Sequence, residues 1–210
     1  MTVSPRLIVI TDTRVAAESD LEIRIERVLS AAMPCTVMVQ LRDNDLPARA
    51  RLALGERLRE RCRRSDQWFV VNDRIDLAVL LGADGVHLGE SSIEPADARR
   101  LLSASAWISR ACHDPAAAAR LDVDGVLLSP IMDARKGRPA LGLAALGAAR
   151  RAAAALPKPA DLRLYALGGV RAENAAECIT AGADGVAVIG AALDGTDPRP
   201  LLGALGILAA

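Results

Sequence analysis

Aromatic side chains are almost missing from this sequence. They make up 2% of its 210 residues: two tryptophans, one tyrosine and one phenylalanine. The core must therefore be built from Ala, Val, Leu and Ile, and 51% hydrophobic residues supply enough of it. Aliphatic cores of this kind suit helices packed on parallel strands. A charge excess of either sign is also missing, since 26 Lys and Arg balance 26 Asp and Glu. A polynucleotide partner calls for surplus cations, so none is expected. The arginines at Arg57, Arg59, Arg61, Arg63 and Arg64 read as a solvated helix face. No run approaches the roughly 20 apolar residues of a membrane span, which excludes a membrane partner of that kind. The apolar stretch in "MTVSPRLIVITD" is too short for a signal peptide. Cysteine pairs are missing as well. Cys35, Cys62, Cys112 and Cys178 are scattered with no C-x-x-C, so neither a zinc site nor a disulfide framework is signalled. A reduced, cytoplasmic protein is the expectation. Composition leaves a homo-oligomer open.

What the sequence does have is a repeated phrase. "GADGVHLG" runs over 82–89, "VDGVLLSP" over 123–130 and "GADGVAVIG" over 182–190. Gly and Asp mark a turn, and the apolar run after them has strand length. Helical material precedes each copy, at 77–81, 115–121 and 172–180. Further strands are read at 6–12, 36–43, 68–73, 107–114 and 163–170, which makes eight with the three repeats. Helices are expected at about 20–33, 46–65, 74–82, 94–104, 115–121, 142–156, 171–181 and 198–208. Eight strands each followed by a helix predict an α/β fold, a single-domain (β/α)8 TIM barrel over 1–210. The alternative, an open doubly wound sheet, needs a G-x-G-x-x-G after the first strand, and "ITDTRV" has none. The three phrases then open strands four, six and eight, as one joint used three times.

Barrels place their chemistry at the C-terminal ends of the strands. The residues there are Asp12, Gln40, Arg42, Asn72, Asp73, Gly89, Glu90, Arg110, Cys112, His113, Ser129 and Pro130, then Lys136 in a loop. Gly168 and Gly169 end strand seven, and Ile189 and Gly190 end strand eight, which feeds a short helix. Glycines after strands seven and eight suit a phosphate, although Gly168-Gly169 also fits a plain tight turn. Arg42 beside Asn72 and Asp73 suits a second anionic group with Mg²⁺, which takes one or two carboxylates plus phosphate oxygens. Asp73 also fits a plain helix cap before Arg74, as Asp114 does before its own helix. His87 lies inside a strand and reads as a core histidine. His113 ends its strand at the rim and is the better general acid or base.

The segments "ITD" (10–12), "VQLRD" (39–43), "VVNDRIDLAVLLGADGVHLGE" (70–90), "SPIMDARKGRPALG" (129–142) and "YALGGVRAENAAECITAGADGVAVIGAAL" (165–193) resemble the thiamin phosphate synthase/TenI family. They occur in the family's order along almost the whole chain. The resemblance implies a (β/α)8 barrel. It implies a transferase that joins hydroxymethylpyrimidine diphosphate to a thiazole phosphate with Mg²⁺, releasing pyrophosphate. By position, Gln40 and Arg42 match the residues that bind the pyrimidine diphosphate. Asn72 and Asp73 match the strand-three pair whose Asp is a Mg²⁺ ligand, and Lys136 matches the lysine near the diphosphate. Gly169, Ile189 and Gly190 match the thiazole phosphate site, with Gly168 beside them. The catalytic set expected is Arg42, Lys136 and His113; the metal set is Asp73 and Glu90.

The chain also departs from the pattern. Asn44 stands where the synthases have lysine, and Glu90-Ser91-Ser92 where they have Gln-x-Asp. The loop "MDARK" lacks the two threonines, and Ala111 or a neighbour replaces a serine. The thiazole half is better kept than the diphosphate half. Two alternatives therefore stand beside the synthase: a TenI-like thiazole isomerase using His113, and a non-catalytic phosphate-ligand binder.

Overall fold

The computed structural model describes residues 4–135, 137–156 and 163–209. Eight strands close a parallel barrel in sequence order: β1 (Leu7–Ile10), β2 (Val37–Leu41), β3 (Trp68–Asn72), β4 (Gly85–Leu88), β5 (Trp107–Cys112), β6 (Gly125–Leu128), β7 (Arg163–Leu167) and β8 (Gly185–Val188). Strand β8 pairs with β1, Leu7 lying opposite Val186. The helices are α1 (Glu18–Ala31), α2 (Ala48–Arg64), α3 (Ile75–Leu80), α4 (Pro95–Leu101), α5 (Pro115–Ala118), α6 (Ala144–Ala154), α7 (Ala172–Thr180), α8 (Gly190–Leu193) and α9 (Arg199–Ala204). The expected barrel is therefore present. The strands are shorter than the ranges expected from the sequence. Helix α8 is the one element outside the expected ranges.

Two cores follow from the alternation along the strands. Inward side chains, among them Ile8, Met38, Val70, Leu127 and Tyr165, fill the barrel. The outward set packs against the helices, which present Leu21, Ile25, Leu54, Leu58 and Leu146. Three of the four aromatics sit inside the barrel, where Trp107 meets Trp68 and Tyr165 edge to face at 6.1 and 6.4 Å.

The repeated phrase is a joint at the bottom of the barrel. Asp84, Asp124 and Asp184 accept the backbone N–H groups of Phe69, Ile108 and Leu164, each at 2.7 Å. Each carboxylate also takes an arginine: Arg59 from α2, Arg99 from α4 and Arg150 from α6. The glycine that follows is needed for space. A Cβ at Gly85 would lie 1.9 Å from the Trp107 carbonyl oxygen, and one at Gly185 2.4 Å from that of Arg6. The arginine run of α2 is not a free solvated face. Arg57 and Arg61 bond to Glu18, Glu22 and Glu26 of α1, which lace the two helices together.

Candidate active site

The C-terminal strand ends enclose a cavity of about 590 Å³. Its first wall comes from β1 and β2. The Thr11 hydroxyl donates to Asp43 and accepts the backbone N–H of Arg42 at 2.9 Å, and Asp43 also accepts the N–H of Thr13. These bonds lock the two rim turns together. The Arg42 guanidinium then lies 2.5 Å from Asp12, which also accepts Arg14 Nε at 2.9 Å. The hydrogen bond from Arg14, reinforced by the charge of Arg42, holds the Asp12 carboxyl below the usual carboxylate range despite its burial.

Outside the cavity lining, β2 and β3 end in a chain of side-chain bonds. Gln40 is 2% exposed and donates from Nε2 to Asn72 Oδ1 at 2.9 Å. Asn72 Nδ2 donates to Asp73 Oδ2 at 2.6 Å. Asp73 has φ +60°, a left-handed backbone that few non-glycine residues adopt. Its carboxylate reaches the loop after β4, accepting the Gly89 N–H at 3.1 Å and the Ser92 hydroxyl. The plain cap reading of Asp73 fails, since the N-cap of α3 is Arg74 and no side chain caps it. Behind the turn, buried Arg51 donates from Nη2 to the Asn72 carbonyl at 2.8 Å. Burial pulls its pKa below the ordinary arginine value.

Glu90 takes other partners: Arg138 Nη2 at 2.9 Å and His113 Nε2 at 3.6 Å. Among the described residues, no group of three or more His, Cys, Asp or Glu is placed to hold a metal. A single carboxylate, with a second on the next strand's loop, is nonetheless the usual protein share of a Mg²⁺ site completed by phosphate oxygens. Asp73 and Glu90 are the two carboxylates at these strand ends, Asp73 bonded to Ser92 and Glu90 to Arg138.

His113 lines the cavity. Its Nδ1 lies 2.5 Å from the Ser129 carbonyl, which can only accept, so Nδ1 carries the proton and Nε2 is left toward Glu90. Asp114 caps α5 as expected. His87 is a core residue, 5% exposed and 3.0 Å from the Ser109 hydroxyl; burial pushes its pKa down to about 4. Arg110 turns to the loop after β4, donating to the carbonyls of Glu90 and Ile93 at 3.2 and 3.4 Å.

The far wall is Gly168, Gly169, Ile189 and Gly190. The two paired glycines have φ +100° and +74°, and a Cβ on Gly169 would lie 2.5 Å from Asp133. At Gly190 an added Cβ meets nothing within 4 Å, so the space in front of it is open. Lys136 lies outside the described residues. The cavity also holds Arg135, Arg138 and Arg171, which the strand-end rule misses because they sit in loops. For Arg135 and Arg138 the signal is the density of cations in "ARKGR". A groove of equal volume, about 590 Å³, runs beside α1 and α9, far from the strand ends and lined by the Asp197–Arg199 pair.

Comparison with known proteins gives the same answer from a different direction. The sequence pattern of the family described as thiamine monophosphate synthase matches residues 7–192. The thiamine-phosphate synthase of Thermus thermophilus is 41% identical over 182 residues, covering 84% of this chain and 82% of that protein. That of Roseiflexus castenholzii is 37% identical over 209 residues, covering 96% and 87%. The structure of a thiamine phosphate pyrophosphorylase from Pyrococcus furiosus superposes with TM-score 0.76 at 26% identity, covering 98% of this chain and 94% of that one. On the match to the family's pattern and on these relatives, the chain belongs to the thiamine monophosphate synthase family.

Proposed function

We propose that this protein couples hydroxymethylpyrimidine diphosphate to a thiazole phosphate, giving thiamin phosphate and pyrophosphate. One observation carries the reading: a single cavity has cations and a carboxylate at Arg42, Arg138 and Glu90, and a glycine wall that is open at Gly190. Two anionic substrates can enter it head to head. The C–O bond between the pyrimidine methylene and the diphosphate breaks, and the electron pair leaves with pyrophosphate. The ring's amino group stabilises the methylene cation. The thiazole nitrogen then donates its pair to form the C–N bond.

The protein's work is charge balance and alignment. Arg42, held by Asp12, meets the diphosphate, and Lys136 joins it from the family pattern. Asp73, with Glu90, would hold Mg²⁺, which when bound would supply positive charge beside the diphosphate. Gln40 and Asn72 fix one another's amides and present the rest of their polar atoms to the pyrimidine. Gly168, Gly169, Ile189 and Gly190 receive the thiazole phosphate. No side chain need act as a nucleophile. Among the described residues no helix is long and apolar enough to cross a membrane, and four free thiols suit a reducing cytoplasm.

The test is incubation with both substrates and Mg²⁺, with thiamin phosphate and pyrophosphate as the expected products. Absence of both sinks the reading. One observation favours a second: His113 Nδ1 is tied to Ser129, leaving Nε2 for proton transfer at the thiazole. That isomerase predicts metal-independent conversion of the thiazole, lost in His113→Ala, with no coupling product.

A further inference from the structure

Arg138 stands beyond the residues the family pattern marks. Paired backbone bonds between Arg135 and Arg138, at 3.0 and 2.9 Å, close a tight hairpin in the loop from β6 to α6. That hairpin brings the Arg138 guanidinium to Glu90, 2.9 Å away, across the same cavity. Glu90 directly follows Gly89, whose N–H donates to Asp73. The pair therefore stands at the carboxylate wall and not at the glycine wall, where Arg171 is balanced by Asp133 at 3.6 Å. Both partners are half exposed, at 47% and 51%. Water screens such a pair, so it exchanges at little cost. A guanidinium prefers the bidentate geometry of a phosphate group, and a diphosphate carries more charge than one carboxylate.

We propose that Arg138 is a diphosphate-binding residue of this protein, and that Glu90 holds it in reserve until the diphosphate arrives. The inference rests on the coupling reading above. It gives the diphosphate half a cation that Asn44 does not supply.

Inorganic pyrophosphate is the probe, titrated calorimetrically into the intact protein without added Mg²⁺. Glu90→Gln frees Arg138 and should tighten binding about two- to fivefold, the size of a screened pair. Arg138→Ala should weaken it about tenfold or more, the loss of a charged hydrogen bond. Arg138→Lys should restore part of that loss. The double variant E90Q/R138A should bind like Arg138→Ala, because nothing is left to release. If Glu90→Gln tightens binding equally with and without Arg138, Glu90 acts by general repulsion and the proposal fails. It also fails if Arg138→Ala binds like the wild type, or if none of the proteins binds pyrophosphate. The product assay separates the two ideas: wild type that makes thiamin phosphate while Arg138→Ala keeps full affinity overturns the role of Arg138 alone. Wild type that makes no product overturns the coupling.

Discussion

Gly190 and Gly169 line the same wall for opposite reasons, and that gives each a separate test. A side chain at Gly190 meets open space, so the fold tolerates it and the ligand does not. Gly190→Asp should abolish binding of thiazole phosphate by calorimetry with little change in melting temperature. Unchanged affinity would remove the phosphate role. At Gly169 the backbone is left-handed, and a Cβ would lie 2.8 Å from the Asp133 backbone nitrogen. Gly169→Ala should therefore cost about 1–3 kcal/mol in stability before any ligand is added. His87 gives a pH signature. Burial depresses its native pKa to about 4 from the ordinary 6.5. Between those values the unfolded chain binds a proton that the native one refuses, so stability falls as pH drops from 6.5 toward 4. The loss is up to about 3 kcal/mol. Denaturant melts at each pH should see this slope flatten in His87→Asn.

The elements divide the molecule into a stabilising base and a reactive rim. At the base, one carboxylate per joint holds a strand-end amide and an arginine from a preceding helix. Asp184→Ala strands the Leu164 N–H and should cost about 1–3 kcal/mol, with KM for both substrates unchanged. A shifted KM would mean that the base and the rim communicate. The base was legible in the sequence because its geometry recurs: small residue, Asp, Gly and an apolar run mark each joint. Strand identity was legible for the same reason. Strand ends were not, since Asp12, Asp43 and Asp73 bond to side chains 19 to 32 residues away, at the end of a neighbouring strand. The pairing of Arg57 and Arg61 with α1 was hidden likewise, because partners 35 to 39 residues apart leave no local pattern. The family pattern marked Gln40, Arg42, Asn72 and Asp73; Gln40, Asn72 and Asp73 are joined by hydrogen bonds, while Arg42 turns to Asp12. It gave no role to Arg138, whose place depends on a hairpin that only the folded loop reveals.

For the molecule as a whole, zero net charge conceals a separation of charge. Arginines gather in the cavity, where Glu90 faces Arg138 and Asp133 faces Arg171. The carboxylate wall is where the chain departs most from the family, so it is where activity should be recoverable. Ser92 now donates its hydroxyl to Asp73. Ser92→Asp replaces that donor with a second carboxylate. Without a cation the two repel, and the melting temperature should drop by about 2–4 °C for a loss near 1 kcal/mol. With Mg²⁺ the pair becomes a binding site present only in the native state, so the drop should reverse in proportion to the logarithm of the Mg²⁺ concentration. The wild type, with Asp73 bonded to a hydroxyl, should show little such dependence. Asn44→Lys added to Ser92→Asp restores a cation as well. Since one charge-stabilising contact is worth roughly 10² to 10³ in rate, the double variant should couple at least tenfold faster than the wild type. A Mg²⁺-dependent melting temperature without faster coupling would mean that the metal site is rebuilt but that Arg138 already does the lysine's work. Neither effect would mean that Asp73 serves only to fasten the loop after β4.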